Sequence, residues 1–359
     1  MSRAEYLRDS LAPLLGGARY AVLPSAREPR LLVPLGAAKA AATAVRHATE
    51  AHGPSARLKR DLVAAAFRVG AGALLLRHRL AEPGPGLAAH LSTLLGRPVL
   101  LSVHIGPDRA NRKPVVQVLD RDGSVLAFAK LGVDPLTAAL VDAEAVALER
   151  LSTVDAGVVV PELLHHGDWR GHRLLVQRAL PVWLPRARVA AAEVLERVAM
   201  ASLARALGTT TVPYVDGPHH ASLGSALSTL DDPRAAALSA VLEKLAGPVE
   251  HGCWHGAWNG GNAAVLADRR VLVWDWERFA TGVPVGFDAL HRTLQTAITR
   301  HEVAPLSAAS NLVWEGGVVA AAYLIELGTR YLRDRQDEAG ARLGRIEDWL
   351  IPALSKEYS

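Results

Sequence analysis

The segment His255-Gly256-Ala257-Trp258-Asn259-Gly260-Gly261-Asn262, with the apolar run Val271-Leu272-Val273-Trp274 and then Asp275, gathers residues whose types could do chemistry. An amide oxygen on Asn262 and a carboxylate on Asp275 suit magnesium, a hard cation that takes oxygen ligands and keeps several waters. Thirteen positions separate the two. That leaves room for a strand, the turn Ala267-Asp268-Arg269-Arg270 and a return strand, a hairpin that would bring both ligands to one end. Lys130 stands at the end of a strand candidate, Val125–Leu131, and is one of only six lysines in the chain. On an alternating strand it would point to the polar side, where it could neutralise phosphate charge or simply be solvated. Phosphoryl transfer asks for phosphate neutralisation, magnesium ligands and a positioned hydroxyl.

The order His-Gly-x5-Asn, apolar strand, Asp-Trp-Glu resembles the catalytic loop and metal-binding aspartate of the aminoglycoside phosphotransferase and choline kinase family. The resemblance covers roughly residues 97–335. It implies a protein-kinase-like α+β fold in two lobes, a small one with a five-stranded antiparallel sheet and one helix, then a larger helical one. It also implies ATP and Mg2+ as cofactors. Lys130 would then contact the phosphates, and Asn262 and Asp275 would hold the metal. Glu144, fourteen residues after Lys130, would orient that lysine, with Glu149 as its competitor. An apolar stripe through 141, 145 and 148 favours Glu144. His255 would shape the loop rather than move protons, and Asp288 would cap the helix that follows it. The stretch 105–113 has one glycine, so Arg109, Arg112 and Lys113 would either supply charge over the phosphates or form a solvated hairpin tip.

One position departs from the family pattern. The loop's aspartate, which accepts the proton of the substrate hydroxyl in the family, is Ala257 here. Asn259 does not replace it, because an amide has no useful basicity. Three readings stand side by side. The alanine is an introduced substitution, the chain is a pseudokinase that binds nucleotide or a partner as a scaffold, or it still transfers phosphate slowly. General base catalysis typically supplies about 10²- to 10⁴-fold, so its loss need not abolish turnover. The hydroxyl would belong to a small molecule, a sugar, or Ser/Thr of a peptide in a bacterial natural-product pathway.

The elements that must position these residues follow from pattern. Residues 36–47 and 55–68 read as helices, with an apolar stretch at 73–76 and a linker at Pro83-Gly84-Pro85-Gly86. We take residues 1–95 as an N-terminal extension of mixed α/β character, 96–180 as the small lobe and 181–359 as the helical lobe. Strand candidates run 99–105, 115–119, 125–131, 157–164 and 174–180, with a helix at 136–151. Asp120-Arg121-Asp122-Gly123 is a hairpin turn. Helices are expected at 190–207, 233–245, 287–300 and 312–334, with a loop from 208 to 224. The extension offers a surface for a peptide or protein partner.

Composition narrows the classes. Of 359 residues, half are hydrophobic, and the net charge of +4 comes from arginine rather than lysine. No nucleic-acid motif accompanies that charge, so no nucleic-acid partner is expected. The apolar stretch 317–327 is too short to span a bilayer, so no membrane association is expected. Cys253 is the only cysteine, which excludes an internal disulfide and fits a reducing cytoplasm. The pairs His165-His166 and His219-His220 lack a Cys, Asp or Glu at zinc-like spacing and read as loop histidines. Cys253 reads as buried filler.

Overall fold

Eight strands from the first 180 residues hydrogen-bond into one antiparallel sheet, in the order β3-β1-β2-β4-β5-β6-β8-β7. They are β1 (Arg19–Pro24), β2 (Pro29–Pro34), β3 (Arg79–Ala81), β4 (Leu100–His104), β5 (Val115–Leu119), β6 (Val125–Gly132), β7 (Leu163–Trp169) and β8 (His172–Arg178). The computed structural model describes residues 2–16, 19–48, 54–71, 79–81, 86–106, 111–339 and 343–358. Expected features at 73–76 and Pro83–Pro85 lie outside these residues, as does Arg109.

Cα proximity divides the chain into two units, Met1–Asp142 with Glu162–Ala179, and Ala143–Pro161 with Leu180–Ser359. The division falls inside the helix Pro135–Leu151, after Asp142. The class is α+β, with an antiparallel sheet first and a mainly helical region second, as expected.

In the first unit both sheet faces are buried. One face, with Val22, Leu32, Val103, Val118 and Ala129, packs on Tyr6, Leu11 and helix Leu87–Leu94. The other, with Ala21, Leu31 and Val33, packs on the alanine-rich helix Ala38–Ala48 and on Ala64 and Phe67 of Pro54–Arg68. Five strands are expected between 97 and 180, and five lie there among the described residues. The sheet is larger because β2 continues it, pairing Leu31 with His104 and Leu32 with Val103. An exposed hairpin of β1 and β2 would be marginal alone, and joining β4 covers an open edge. The fourth strand lies later than expected, at Leu163–Trp169; within the earlier stretch Val159 makes only an isolated bridge to Leu272, both in the second unit.

In the second unit a three-stranded sheet, β13-β10-β9, and a two-stranded hairpin, β11-β12, sit among helices. These strands are β9 (Thr210–Pro213), β10 (Pro248–Trp254), β11 (Ala263–Val265), β12 (Val271–Val273) and β13 (Ala280–Pro284). Trp254, Phe287, Tyr323 and Leu350 anchor the core. The expected loop 208–224 holds β9 and then the helix Pro218–Ser228, whose Pro218 at the first turn is a recognised start signal. His219 and His220 are therefore on a helix, while His165 and His166 are on β7; none of the four is a loop histidine. Their alternation with apolar neighbours was too short to reveal either element. Helix Pro305–Arg333 is long and apolar enough to cross a membrane, with a mean hydropathy of 1.3 over its best window. It breaks at Gly317, φ 52°, and 56% of that window is buried, which suits a core helix.

Candidate functional site

The loop 255–262 leaves β10 at Trp254 through a glycine that no other residue could replace. Gly256 has φ 83°, and a Cβ there would lie 2.2 Å from the Arg278 carbonyl oxygen. Left-handed backbone and contact together demand a missing side chain. Asp288, buried on helix Phe287–Arg300, accepts from the backbone N–H of His255 at 2.7 Å and of Gly256 at 3.1 Å. The expectation that Asp288 caps its own helix is not met. Gly286 stands at the cap position, and the carboxylate instead fixes a loop 32 residues upstream. From the other side Arg330 donates to the Gly256 carbonyl at 2.7 Å and stacks 4.4 Å over Trp254.

His255 lies inside the hydrogen-bond network of the loop. Its Nε2 donates to the Trp274 carbonyl at 3.0 Å, and its Nδ1 accepts the Ala257 N–H at 3.2 Å. A carbonyl can only accept and an N–H can only donate, so the ring is the neutral Nε2–H tautomer. It is fully buried and packs edge-on against Trp276 at 4.6 Å between centroids.

Ala257 is the hub of the loop through its backbone. Its carbonyl accepts from Asn259 Nδ2 at 2.9 Å and from Asn262 Nδ2 at 3.0 Å. The second bond uses the amide nitrogen of Asn262 and leaves its oxygen as the side chain's acceptor. Hairpin β11–β12 then pairs Ala263 with Val273, and Trp274 N–H donates to the Asn262 carbonyl at 3.0 Å. The hairpin thus brings Asn262 and the Trp274–Asp275 segment to one end, as the spacing predicts.

Asp275 follows with φ 71°, a left-handed conformation that an L-residue other than glycine takes at a cost. Such strain tends to gather at functional positions. Ligand atoms of Asp275, Glu277 and Glu144 lie within 4.8 Å of one another. Glu144 is fully buried and accepts the Trp276 N–H through Oε1 at 3.2 Å. Glu277 is also buried. Three carboxylates at that separation repel one another unless a cation lies among or beside them. Hard oxygen donors of this kind fit Mg2+.

Charge around the loop is shaped by burial. Burial pushes the Asp288 carboxyl up to about 7, against the two backbone N–H groups and Arg330 that favour its charged form. Burial also raises Glu326, but Arg330 and His219 outweigh it and hold that carboxyl well below the usual range. Glu326 bonds Arg330 Nε at 2.6 Å and lies 3.4 Å from His219 Nε2, whose Nδ1 meets the Tyr214 hydroxyl at 3.0 Å. Arg278 pairs with buried Asp334 in a short contact. His291 is driven down to about 3 by burial, with the Arg330 charge adding to the effect. Cys253, expected as buried filler, donates to the Leu203 carbonyl at 2.9 Å, and burial pushes its thiol up to about 11.

Asn262, Asp275, His255 and Ala257 meet in one place, with Glu144 beside them. Lys130 is on β6 in the first unit, where Val115 and Leu175 flank it and its side chain is buried. Arg112 lies 4.0 Å over the Tyr6 ring, held in a packed N-terminal corner rather than at a solvated tip. Sequence reasoning missed Glu277 as a candidate ligand, although Asp-Trp-Glu was in view. It also missed Asp288 and Arg330 as loop supports, for which no local signal exists.

No family model matches this chain, and no curated protein does. Among solved structures, a protein from Haemophilus somnus described as a candidate fructosamine-3-kinase is 11% identical, covering 75% of this chain and 96% of its own, TM-score 0.45. The gentamicin complex of APH(2")-IIa is 13% identical over 74% of this chain and 93% of its own, TM-score 0.41. A spectinomycin phosphotransferase, APH(9)-Ia, with ADP and spectinomycin, is 13% identical over 77% of this chain and 96% of its own, TM-score 0.39. Likeness of this degree carries no argument about activity, which rests on the residues of this chain.

Proposed function

We propose that this chain is a phosphotransferase-type protein whose loop 255–262 and Asp275 form a magnesium–nucleotide site, with the acceptor base replaced by Ala257. The observation that carries the reading is the convergence of Asp275, Glu277 and Glu144 at the hairpin end that also presents Asn262. When bound, Mg2+ would supply charge neutralisation to the nucleotide phosphates. Asp275 and Asn262 would be its ligands, with Glu144 and Glu277 adding negative charge. Lys130 would contact phosphate, and Arg109 and Arg112 are proposed as flanking charge.

The rest of the work falls to the chain's own residues. Asp288 and Arg330 hold the loop backbone by both its N–H groups and a carbonyl, so positioning is built in before any ligand arrives. Positioning and electrostatics dominate phosphoryl transfer. A hydroxyl beside Ala257 would give its proton to water or to the transferred phosphate instead of to a carboxylate, so transfer would be slow rather than absent.

The test is Ala257→Asp. Assayed for ATP turnover against a panel of hydroxyl compounds, it should exceed the native chain by about 10²- to 10⁴-fold on any compound that turns over. Equal, negligible turnover in both would contradict an enzymatic reading. A second reading, nucleotide binding without turnover as a scaffold subunit, is favoured by Ala257 itself. It predicts retained magnesium-dependent ATP binding together with that negative result.

A further inference from the structure

Two arginines reach the loop close to Ala257, and only one of them has a carboxylate partner among the described residues. Gly260 follows Ala257 by three residues. A Cβ on Gly260 would lie 3.6 Å from a terminal guanidinium nitrogen of Arg300 and 3.7 Å from one of Arg292. Both arginines come from helix Phe287–Arg300, eight residues apart. At about 100° per residue they project about 80° apart, two turns from each other, and their long side chains converge on one loop carbon.

Like charges so placed need a reason. Arg292 has a partial one, since its Nε donates to Glu196 at 3.0 Å. Among the described residues Arg300 has no carboxylate partner, and it is exposed. Neither guanidinium donates to a loop carbonyl among the described hydrogen bonds, so loop support does not account for them. Asp288 and Arg330 already provide that support. Gly260 and Gly261 are exposed and without side chains, which leaves the space in front of the guanidinium groups open. A guanidinium fork matches a carboxylate or phosphate in shape and charge. A polycation would meet repulsion at the same place.

We propose that Arg292 and Arg300 form an anion-recognising wall of the acceptor site, so that the hydroxyl substrate carries a phosphate or carboxylate group. The inference rests on the phosphotransferase reading for the word substrate, but the anion site itself does not. Arg292 is held in place by Glu196, and the exposed Arg300 supplies the second guanidinium. The wall sets specificity and takes no part in proton transfer.

The experiment is calorimetric titration of the full chain with inorganic phosphate, and in parallel with acetate, at constant ionic strength. Native protein, Arg300→Ala and Lys130→Ala are compared. Hydrogen bonds to charged groups are worth about 1.5–3 kcal/mol, so Arg300→Ala should weaken phosphate at least about tenfold. Its affinity for Mg-ATP and its thermal midpoint should stay unchanged, because the side chain is exposed. Acetate binding that falls in parallel extends the wall to carboxylates, and phosphate alone restricts it to phosphorylated hydroxyl compounds. The proposal is overturned if native protein binds neither anion, if Arg300→Ala binds phosphate as native does, or if only Lys130→Ala loses it. Failure of Mg-ATP to bind would remove the phosphotransferase reading and leave the phosphate result standing.

Discussion

The carboxylate of Asp288 accepts the backbone N–H of His255 at 2.7 Å, binding the first residue of the loop to a helix that begins 32 residues later. The same carboxylate takes the Gly256 N–H, so one side chain sets the entry to the whole loop. Removing it should be felt in both stability and ligand binding. Asp288→Ala leaves two buried N–H groups unpaired, at about 1–3 kcal/mol each. Denaturant unfolding should show a loss within that range or its double. Asp288→Asn, which keeps one acceptor oxygen, should lose about half as much. Equal stability for native and Asp288→Ala would mean that the loop is held by other contacts.

Gly256→Ala should be the most damaging single change in the loop. Left-handed backbone costs an alanine about 1–2 kcal/mol, and the Arg278 carbonyl stands where the methyl would go. A loss above about 2 kcal/mol by thermal or denaturant unfolding is expected. Gly260→Ala, by contrast, meets only flexible guanidinium ends and should cost little.

Acid sensitivity should depend on His291. Burial drives that imidazole from 6.5 down to about 3, and its Nδ1 meets the Tyr323 hydroxyl at 2.9 Å. Its folded value is depressed, so the unfolded chain binds the proton more readily. Its contribution is full above 6.5 and is lost as pH falls toward 3. Asp288 acts in the opposite sense. Its folded value is raised from 3.8 to about 7, so its contribution is full below 3.8 and declines as pH rises to 7. The native profile sums the two. Comparing native protein with His291→Asn isolates the first, and the native advantage should shrink by about 1.4 kcal/mol for each pH unit below 6.5. A difference that stays flat between pH 6.5 and 4.5 would show that His291 is charged in the folded state.

Much of this was legible in the chain. Short apolar runs broken by Asp120–Gly123 and Gly167–Gly171 mark strands, and helix spacing marks Pro135–Leu151 and Phe287–Arg300. The hairpin end joining Asn262 to Asp275 follows from their separation alone. What stayed hidden depends on distant partners. That β2 continues the sheet through β4 is a pairing across some 70 residues, and a strand's pattern does not name its neighbour. Arg330 reads as one more charge near a helix end, yet it bonds Gly256, 74 residues earlier. Glu144 could be placed on a helix face, but its bond to Trp276 spans 132 residues. Local propensity fixes elements, and long-range satisfaction of buried polar groups decides which charges matter.

Calorimetric titration with ATP, with and without Mg2+, tests the central claim most directly, on native protein and on Asp275→Ala and Glu277→Gln. The account predicts magnesium-dependent binding that Asp275→Ala abolishes and Glu277→Gln weakens, with the fold of both variants unchanged. Binding indifferent to magnesium, or equal in native protein and Asp275→Ala, would contradict it and show that these carboxylates serve the fold alone.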